Sequence, residues 1–251
     1  LGGDTPLEQC LSEASEAGFS GIESGGKFPK KSEELIPLLE KYNLNLCSGW
    51  YGAQLLKNSA KDEFLFMRDQ LKLFKDCESP CMVFAEITNS VQGDPKTPLS
   101  QRPKLSKDEW NTLISRINEI SKMMIDENMP LAYHHHMGTG VMFRPEVDRL
   151  MNETEAEAVN LLLDTGHLYW AGDDPLDMTR AYADRIKHVH LKDIRHSKMV
   201  ECNETNRTFI EGVIDGVFTV PGDGSIDFKP IFQTLADADY KGWLMVEAEQ
   251  D

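Results

Sequence analysis

The stretch that decides the fold covers residues 159–167 and reads VNLLLDTGH. Its first half is an almost unbroken apolar run, which is typical of a strand in a parallel sheet that helices cover. Its second half places an acid, Asp164, at the end of the strand and a histidine soon after it. Residues 186–192, IKHVHLK, repeat the plan with an apolar run that carries His188 and His190. Both stretches predict strands with ionisable side chains at their carboxyl ends.

Outward from this stretch, the same alternation of an apolar strand, a turn and an amphipathic helix covers the chain. The helices include residues 60–76 and one that opens at a capping box formed by Ser106 and Glu109. Strands that alternate with helices in this way predict a parallel sheet. The predicted strands are residues 19–23, 44–49, 81–86, 130–136, 159–164, 186–192 and 243–247.

These elements predict an α/β fold, a (β/α)8 barrel of the TIM type, in a single domain over residues 1–251. The chain opens on a helix at Thr5 and stops on a strand. A full barrel needs one more strand before Thr5 and one more helix after Asp251, so we expect the first strand and the last helix to be missing. A doubly wound open sheet is the alternative, but no GxGxxG motif follows the first predicted strand.

Charge and composition exclude several classes of partner. Forty-two acidic and 26 basic side chains give a net charge of −16. Binding to nucleic acid or to an anionic membrane needs a surplus of Lys and Arg, so neither is an expected partner. No apolar run approaches the roughly 18 residues of a membrane span. The five cysteines show no CxxC spacing, which favours free thiols and a cytoplasmic protein.

Ionisable side chains collect at the carboxyl ends of the predicted strands, where βα barrels build their catalytic sites. Six of the seven histidines lie at or just past such an end. Imidazoles and carboxylates that converge on the barrel axis suit Mn²⁺, Co²⁺, Zn²⁺ or Fe²⁺. A single histidine there is more often structural, but convergence from several strand ends favours a metal. The strand-end residues are Glu23, Trp50, Glu86, His134, His135, His136, Asp164, His167, His188, His190, Lys192, Glu247 and Glu249.

Some of these residues have a structural interpretation beside the functional one. Glu23 and Glu86 are equally consistent with salt bridges at the barrel rim and with roles in a site. Trp50 is more often packing at the barrel mouth than a platform for substrate. Lys192 is either a rim lysine paired with Asp193 or a catalytic group beside the metal.

Several motifs carry a resemblance to a known family. Residues 242–251 (GWLMVEAEQD), 188–193 (HVHLKD) and 164–167 (DTGH) resemble the xylose isomerase-like barrel superfamily. Within it, the chain is similar to the inosose dehydratases in five stretches. These are LGGDTPLEQC (1–10), AGFSGIE (17–23), KFP (27–29), AYHHHMGTG (132–140) and GVFTVPGDG (216–224). The triple histidine followed by MGTG is the most specific of them.

The resemblance implies a metal site. Carried over by position, the superfamily's ligands fall on His134, Asp164, His190 and Glu247, with Mn²⁺ or Co²⁺ as the metal and a requirement for glutathione. His134 departs from the pattern, because most of the superfamily has glutamate there, and His136 is the alternative ligand. Related epimerases and isomerases use two metal-bound glutamates to move a proton between the two faces of a sugar. Since only one of that pair is kept, loss of water is favoured over epimerisation.

The implied activity is that of a metal-dependent hydro-lyase, which removes water from 2-keto-myo-inositol (scyllo-inosose) and gives a deoxy diketone. A metal on the carbonyl oxygen acidifies the neighbouring C–H, and a base and an acid complete the elimination. We expect Glu247, His167 and Lys192 to be the base and acid, in no fixed order. The expected substrate-binding residues are Glu23, Lys27, Trp50, Glu86 and His136.

Three other functions stay open on the sequence. They are a sugar isomerase or epimerase on the same barrel, a sugar-binding barrel without activity, and a DNA-repair nuclease, which the charge of −16 disfavours. The expected partner is a small cyclic polyol ketone, and a homo-oligomer is compatible with the sequence. His134 in place of glutamate is the feature that separates the lyase from the isomerase.

Overall fold

The computed structural model describes residues 3–249, and its centre is a sheet of seven parallel strands. Adjacent strands follow one another along the chain, as in a βα barrel, whereas a doubly wound sheet reverses its order. The seven predicted strands are therefore confirmed. Leu1, Gly2, Gln250 and Asp251, which belong to the two terminal motifs, lie outside the described residues.

The strands are numbered in chain order. Seven form the barrel sheet, and two short antiparallel strands, β7 and β8, form a separate pair. Their bounds are β1 Gly21–Ser24, β2 Asn45–Ala53, β3 Met82–Glu86, β4 Leu131–His134, β5 Asn160–Asp164, β6 Ile186–Leu191, β7 Asp193–Ile194, β8 Phe218–Thr219 and β9 Leu244–Val246.

Helices connect the strands. The capping box of Ser106 and Glu109 starts α5 where it was predicted, and the helix predicted over 60–76 is two helices that meet at Met67. No helix within residues 3–249 is long and apolar enough to cross a bilayer. The bounds are α1 Leu7–Glu16, α2 Ser32–Lys41, α3 Ala60–Phe66, α4 Arg68–Asp76, α5 Lys107–Asp126, α6 Arg144–Glu153, α7 Thr165–Trp170, α8 Pro175–Tyr182, α9 His196–Glu204, α10 Phe209–Ile214 and α11 Phe228–Asp237, with a 3₁₀ turn at Leu99–Gln101.

The sheet is nearly closed, with β1 and β9 as its two edges. A Cβ atom on Gly21 of β1 would lie 3.0 Å from the ring of Trp243, which precedes β9. A groove of about 290 Å³ is lined by residues of both edges. Leu244 and Val246 are 45% and 40% exposed, whereas every residue of β3 and β4 is buried. The edge strands are therefore the least covered part of the described barrel.

A second apolar cluster supports the segment between β6 and β9. Trp170 packs against Phe209 and Phe218 with ring centroids 5.5 and 5.2 Å apart. The indole N–H of Trp170 donates to Asn203 Oδ1 at 3.0 Å. This packing holds α9, α10 and the β7–β8 pair over the carboxyl ends of the strands.

The junction of β5 and α7 explains the glycine of the DTGH motif. Asp164 Oδ1 accepts the backbone N–H of His167 at 2.8 Å, so the acid that ends the strand also caps the helix. A Cβ atom on Gly166 would lie 2.5 Å from Lys192 Cβ and 2.9 Å from the Phe218 ring. Only glycine lets α7 approach β6 this closely.

We expect Gly166→Ala to lower the free energy of unfolding by about 1–3 kcal/mol, the usual cost of overpacking a dense interior. The cost arises because Lys192 Cβ is fixed to its strand and cannot swing away. Urea denaturation measures the change. Gly93→Ala, whose added Cβ would meet nothing within 4 Å, is the matched control and should behave like the wild type. Equal stability of the two variants would contradict the packing argument.

Candidate active site

A cavity of about 350 Å³ opens at the carboxyl ends of the strands. Asp164 and His167 do not line it, but they contact its lining residues from behind. Most of the predicted site residues are therefore brought together here. The cavity wall includes Glu23, Trp50, His134, His136, His190, Lys192, Phe209, Glu247 and Glu249.

Four side chains at the carboxyl ends of four strands approach one another beside this cavity. His134 Nε2 lies 3.4 Å from Asp164 Oδ2, and His190 Nδ1 lies 3.5 Å from the same oxygen. Glu247 Oε2 lies 3.1 Å from His190 Nδ1. Nitrogen and oxygen atoms that bind one metal at about 2.0–2.2 Å stand roughly 3–3.5 Å apart. The observed spacings match that range.

Hydrogen bonds on the far side of two imidazoles decide which nitrogen each one presents. Nδ1 of His134 donates to the carbonyl of His135 at 2.6 Å. Burial lowers the pKa of His134, so its ring is neutral with a lone pair on Nε2. His188 and His190 both direct Nε2 at Glu23 Oε1, at 2.6 and 3.2 Å, which leaves Nδ1 of His190 facing the other three side chains.

Glu23 is thus an orienting group for histidine. Burial raises the pKa of Glu23, but the charge of His190 and the hydrogen bonds from His188 and His190 outweigh it and lower the pKa to about 2. Glu23 also lines the cavity, so it stays within reach of a ligand. The hydrogen bonds of its carboxylate nevertheless go to two protein side chains, His188 and His190.

His134, Asp164 and His190 offer ligand atoms within 4.8 Å of one another, and Glu247 approaches this group beside His190. His190 Nδ1 and Glu247 Oε2 are buried and, although only 3.1 Å apart, are not aligned for a hydrogen bond. The Lys192 ammonium forms an ion pair with this Glu247 oxygen, whereas His190 Nδ1 makes no hydrogen bond within the described residues. A buried polar atom without a hydrogen bond costs free energy, and a bound cation would remove that cost. Two imidazoles and two carboxylates form the mixed set that suits Mn²⁺, Co²⁺, Zn²⁺ or Fe²⁺.

His136, the alternative ligand, faces a different corner of the cavity. Its Nδ1 donates to the carbonyl of Met137 at 2.8 Å. Its ring packs on His167 with centroids 3.9 Å apart, and the two form a group with Glu249. The structure therefore places His134, and not His136, beside Asp164.

Lys192 is 2% exposed, so its interpretation as a rim lysine is wrong. Its ammonium lies 2.8 Å from Asp164 Oδ2 and forms a closer ion pair with Glu247. Burial lowers the pKa of Lys192, but the charges of Asp164 and Glu247 outweigh it and raise the pKa above its usual value. The ammonium of Lys192 is therefore held between the carboxylates of Asp164 and Glu247.

Asp193 has a role that the sequence analysis missed. Its Oδ2 accepts the backbone N–H groups of Gly222 and Gly224 at 2.9 and 3.0 Å, and its Oδ1 accepts that of Ile226 at 2.9 Å. It therefore fixes the turn at 221–224 and does not pair with Lys192. The signal in the sequence was the PGDG turn itself, because it offers several free N–H groups that a buried carboxylate can bind.

Two predicted substrate-binding residues, Glu86 and Lys27, do not line the cavity. Glu86 is 2% exposed, and its oxygens accept the backbone N–H groups of Leu55 and Thr88. Burial raises its pKa. Lys27 is exposed and donates to the carbonyl of Thr5. Glu86 anchors the loop after β2, and Lys27 belongs to the surface.

Known proteins resemble this chain in sequence and in fold. A family described as xylose isomerase-like TIM barrel matches residues 11–251. An inosose dehydratase from Clostridium botulinum is 43% identical, and the match covers 100% of this chain and 85% of that protein. The chain belongs to the inosose dehydratase family of xylose isomerase-like TIM barrels.

One further relative and one solved structure also resemble this chain. A rhizopine catabolism protein from Rhizobium meliloti is 43% identical over 100% of this chain and 77% of its own length. Among solved structures, a probable 3-DHS dehydratase from Bacillus anthracis superposes with a TM-score of 0.71 at 17% identity, covering 97% of this chain and 87% of that one. At that identity the likeness shows the fold alone.

We expect Glu23→Gln to weaken Mn²⁺ binding by about 10- to 100-fold, because the partner that orients His190 loses its charge. Isothermal titration calorimetry on the metal-free protein measures the affinity. Glu86→Gln changes another buried strand-end carboxylate that lies outside the cavity and should leave the affinity unchanged. Wild-type affinity in Glu23→Gln would show that Glu23 does not orient the ligand.

Proposed function

We propose that this chain removes water from scyllo-inosose (2-keto-myo-inositol) and gives a deoxy diketone. The observation that carries the proposal is the composition of the four-residue set. It has one glutamate, Glu247, and a neutral imidazole, His134, at the position where the superfamily's epimerases have a second glutamate. The 43% identity to a protein named inosose dehydratase supports the same reaction.

We propose Mn²⁺ or Co²⁺ as the metal, held by His134, Asp164, His190 and Glu247. Such an ion would supply Lewis-acid polarisation of the substrate's carbonyl group. His134, Asp164 and His190 are each at most 3% exposed, so bulk water has little access to them. Exclusion of water strengthens every charge interaction made there.

Elimination needs a group that takes the proton beside the ketone and a group that assists the departing hydroxyl. We assign the proton-accepting role to Glu247, which lines the cavity beside Lys192. Lys192 forms an ion pair with Glu247, so its ammonium can hydrogen-bond the departing oxygen. The C–H and C–O bonds break, a C=C bond forms, and the proton passes to hydroxide, which leaves as water.

The remaining predicted residues take supporting roles in this proposal. Trp50 and His136 both line the cavity with ring centroids 5.4 Å apart, and they form an apolar wall for the substrate ring. His167 does not line the cavity, so we assign it to positioning and not to proton transfer.

Three further expectations belong to the proposal. The resemblance implies glutathione, and the five free cysteines suggest that it keeps thiols reduced. A non-thiol reductant should then replace it in an assay. We also propose that the protein is cytoplasmic and that it forms a homo-oligomer, as the sequence analysis expects.

The test is an assay of the purified chain with scyllo-inosose and Mn²⁺, followed by the ultraviolet absorbance of the diketone. We expect turnover that EDTA abolishes and that Mn²⁺ or Co²⁺ restores. The competing function is tested on free ketohexoses, with epimers separated by chromatography. Faster epimerisation of a ketohexose than dehydration of inosose would show that the chain is an epimerase.

A further inference from the structure

Glu249 is a charged residue of the cavity wall that the proposed elimination does not use. It follows β9 closely, and its side chain is 33% exposed. Its Oε2 atom is nevertheless buried and makes no hydrogen bond within residues 3–249. Because Glu249 lines the cavity and part of its side chain is exposed, a ligand in the cavity can reach it.

Two buried groups hold Glu249 from behind. His167 Nε2 lies 3.8 Å from Glu249 Oε2, and Lys192 Nζ lies 3.9 Å from it. His167 Nδ1 accepts the backbone N–H of Met137 at 3.2 Å, so the proton of the neutral ring lies on Nε2. An N–H dipole and an ammonium therefore attract the same oxygen through a low-dielectric wall, which fixes the direction of the carboxylate.

We propose that Glu249 accepts a hydrogen bond from a ring hydroxyl of the polyol substrate, and that His167 is the positioning residue that keeps its carboxylate in place. This assignment rests on the proposed function, because the ligand is the cyclic polyol. Hydroxyl groups are strong donors to carboxylates. Since Glu249 lies two residues after Glu247, this bond would fix the ring relative to the proton-accepting carboxylate.

The alternative is that Glu249 belongs to a second metal site, because His136, His167 and Glu249 offer ligand atoms within 4.8 Å of one another. The hydrogen bonds of His167 argue against it. Its Nδ1 lone pair is taken by the N–H of Met137, and its Nε2 carries the ring proton. Neither nitrogen of His167 is free to bind a cation, whereas a carboxylate beside an N–H donor suits a hydroxyl group.

Binding of myo-inositol, a cyclic polyol without the reacting ketone, tests the proposal. Calorimetry on the Mn²⁺-loaded protein gives its affinity, and initial rates with scyllo-inosose give KM and kcat. We expect Glu249→Ala to weaken myo-inositol binding and to raise KM by roughly 10- to 100-fold, as loss of a hydrogen bond to a charged group does. Glu249→Gln keeps an acceptor oxygen without the charge and should weaken binding less than Glu249→Ala does.

Two controls separate binding from stability. Mn²⁺ affinity should stay within about threefold of wild type in both Glu249 variants, because Glu249 is not a ligand. Glu204→Ala changes an exposed glutamate at the end of α9 and should alter neither constant. For His167, Gln keeps an N–H at similar reach and Asn does not, so Asn alone should raise KM. An equal rise in KM for both His167 variants would show that His167 does not position Glu249.

The possible results distinguish this proposal from the proposed function. If the wild type dehydrates scyllo-inosose and Glu249→Ala binds myo-inositol with wild-type affinity, the assignment of Glu249 is wrong and the function stands. Two Mn²⁺ ions per wild-type chain and one in Glu249→Ala would make this corner a metal site. A wild type that neither binds the polyol nor dehydrates the inosose overturns the function and the Glu249 assignment with it.

Discussion

Asp164 places one carboxylate oxygen under the helix that follows its strand and the other among three nitrogen-bearing side chains. Oδ1 caps α7, and Oδ2 lies 2.8 Å from Lys192 Nζ and 3.4–3.5 Å from His134 and His190. Burial raises the pKa of Asp164, but the charge of Lys192 outweighs it, with help from the imidazoles, and holds the pKa well below its usual value. A fully buried carboxylate stays ionised only with such partners, so strand, helix and site depend on this one group.

The roles of the histidines follow from what their outer nitrogens contact. His134 donates to a carbonyl and His190 faces Glu23, so both direct their other nitrogen at Asp164. His167 instead accepts an N–H from Met137 and directs a proton at Glu249. We therefore propose two different purposes for these three imidazoles, metal ligation for His134 and His190 and the support of a carboxylate for His167.

The strands and their polar ends were predictable because the apolar runs are nearly continuous and parallel strands place their carboxyl ends at one edge. The direction in which each side chain points could not be predicted from the sequence. Glu86 ends β3 as predicted, but its carboxylate turns towards the backbone of Leu55, in the loop after β2, and of Thr88, two residues further along the chain. The link from Asp193 to Gly222 depends on packing between segments that are distant in sequence, and local pattern does not encode such packing.

The central claim is that one divalent metal lies among His134, Asp164, His190 and Glu247. Anomalous scattering from a crystal grown with Mn²⁺ tests it most directly. One peak is predicted, about 2.0–2.2 Å from His134 Nε2, Asp164 Oδ2, His190 Nδ1 and a Glu247 oxygen. A peak bound instead by Glu23, His188 and His190, or by His136, His167 and Glu249, would contradict the claim.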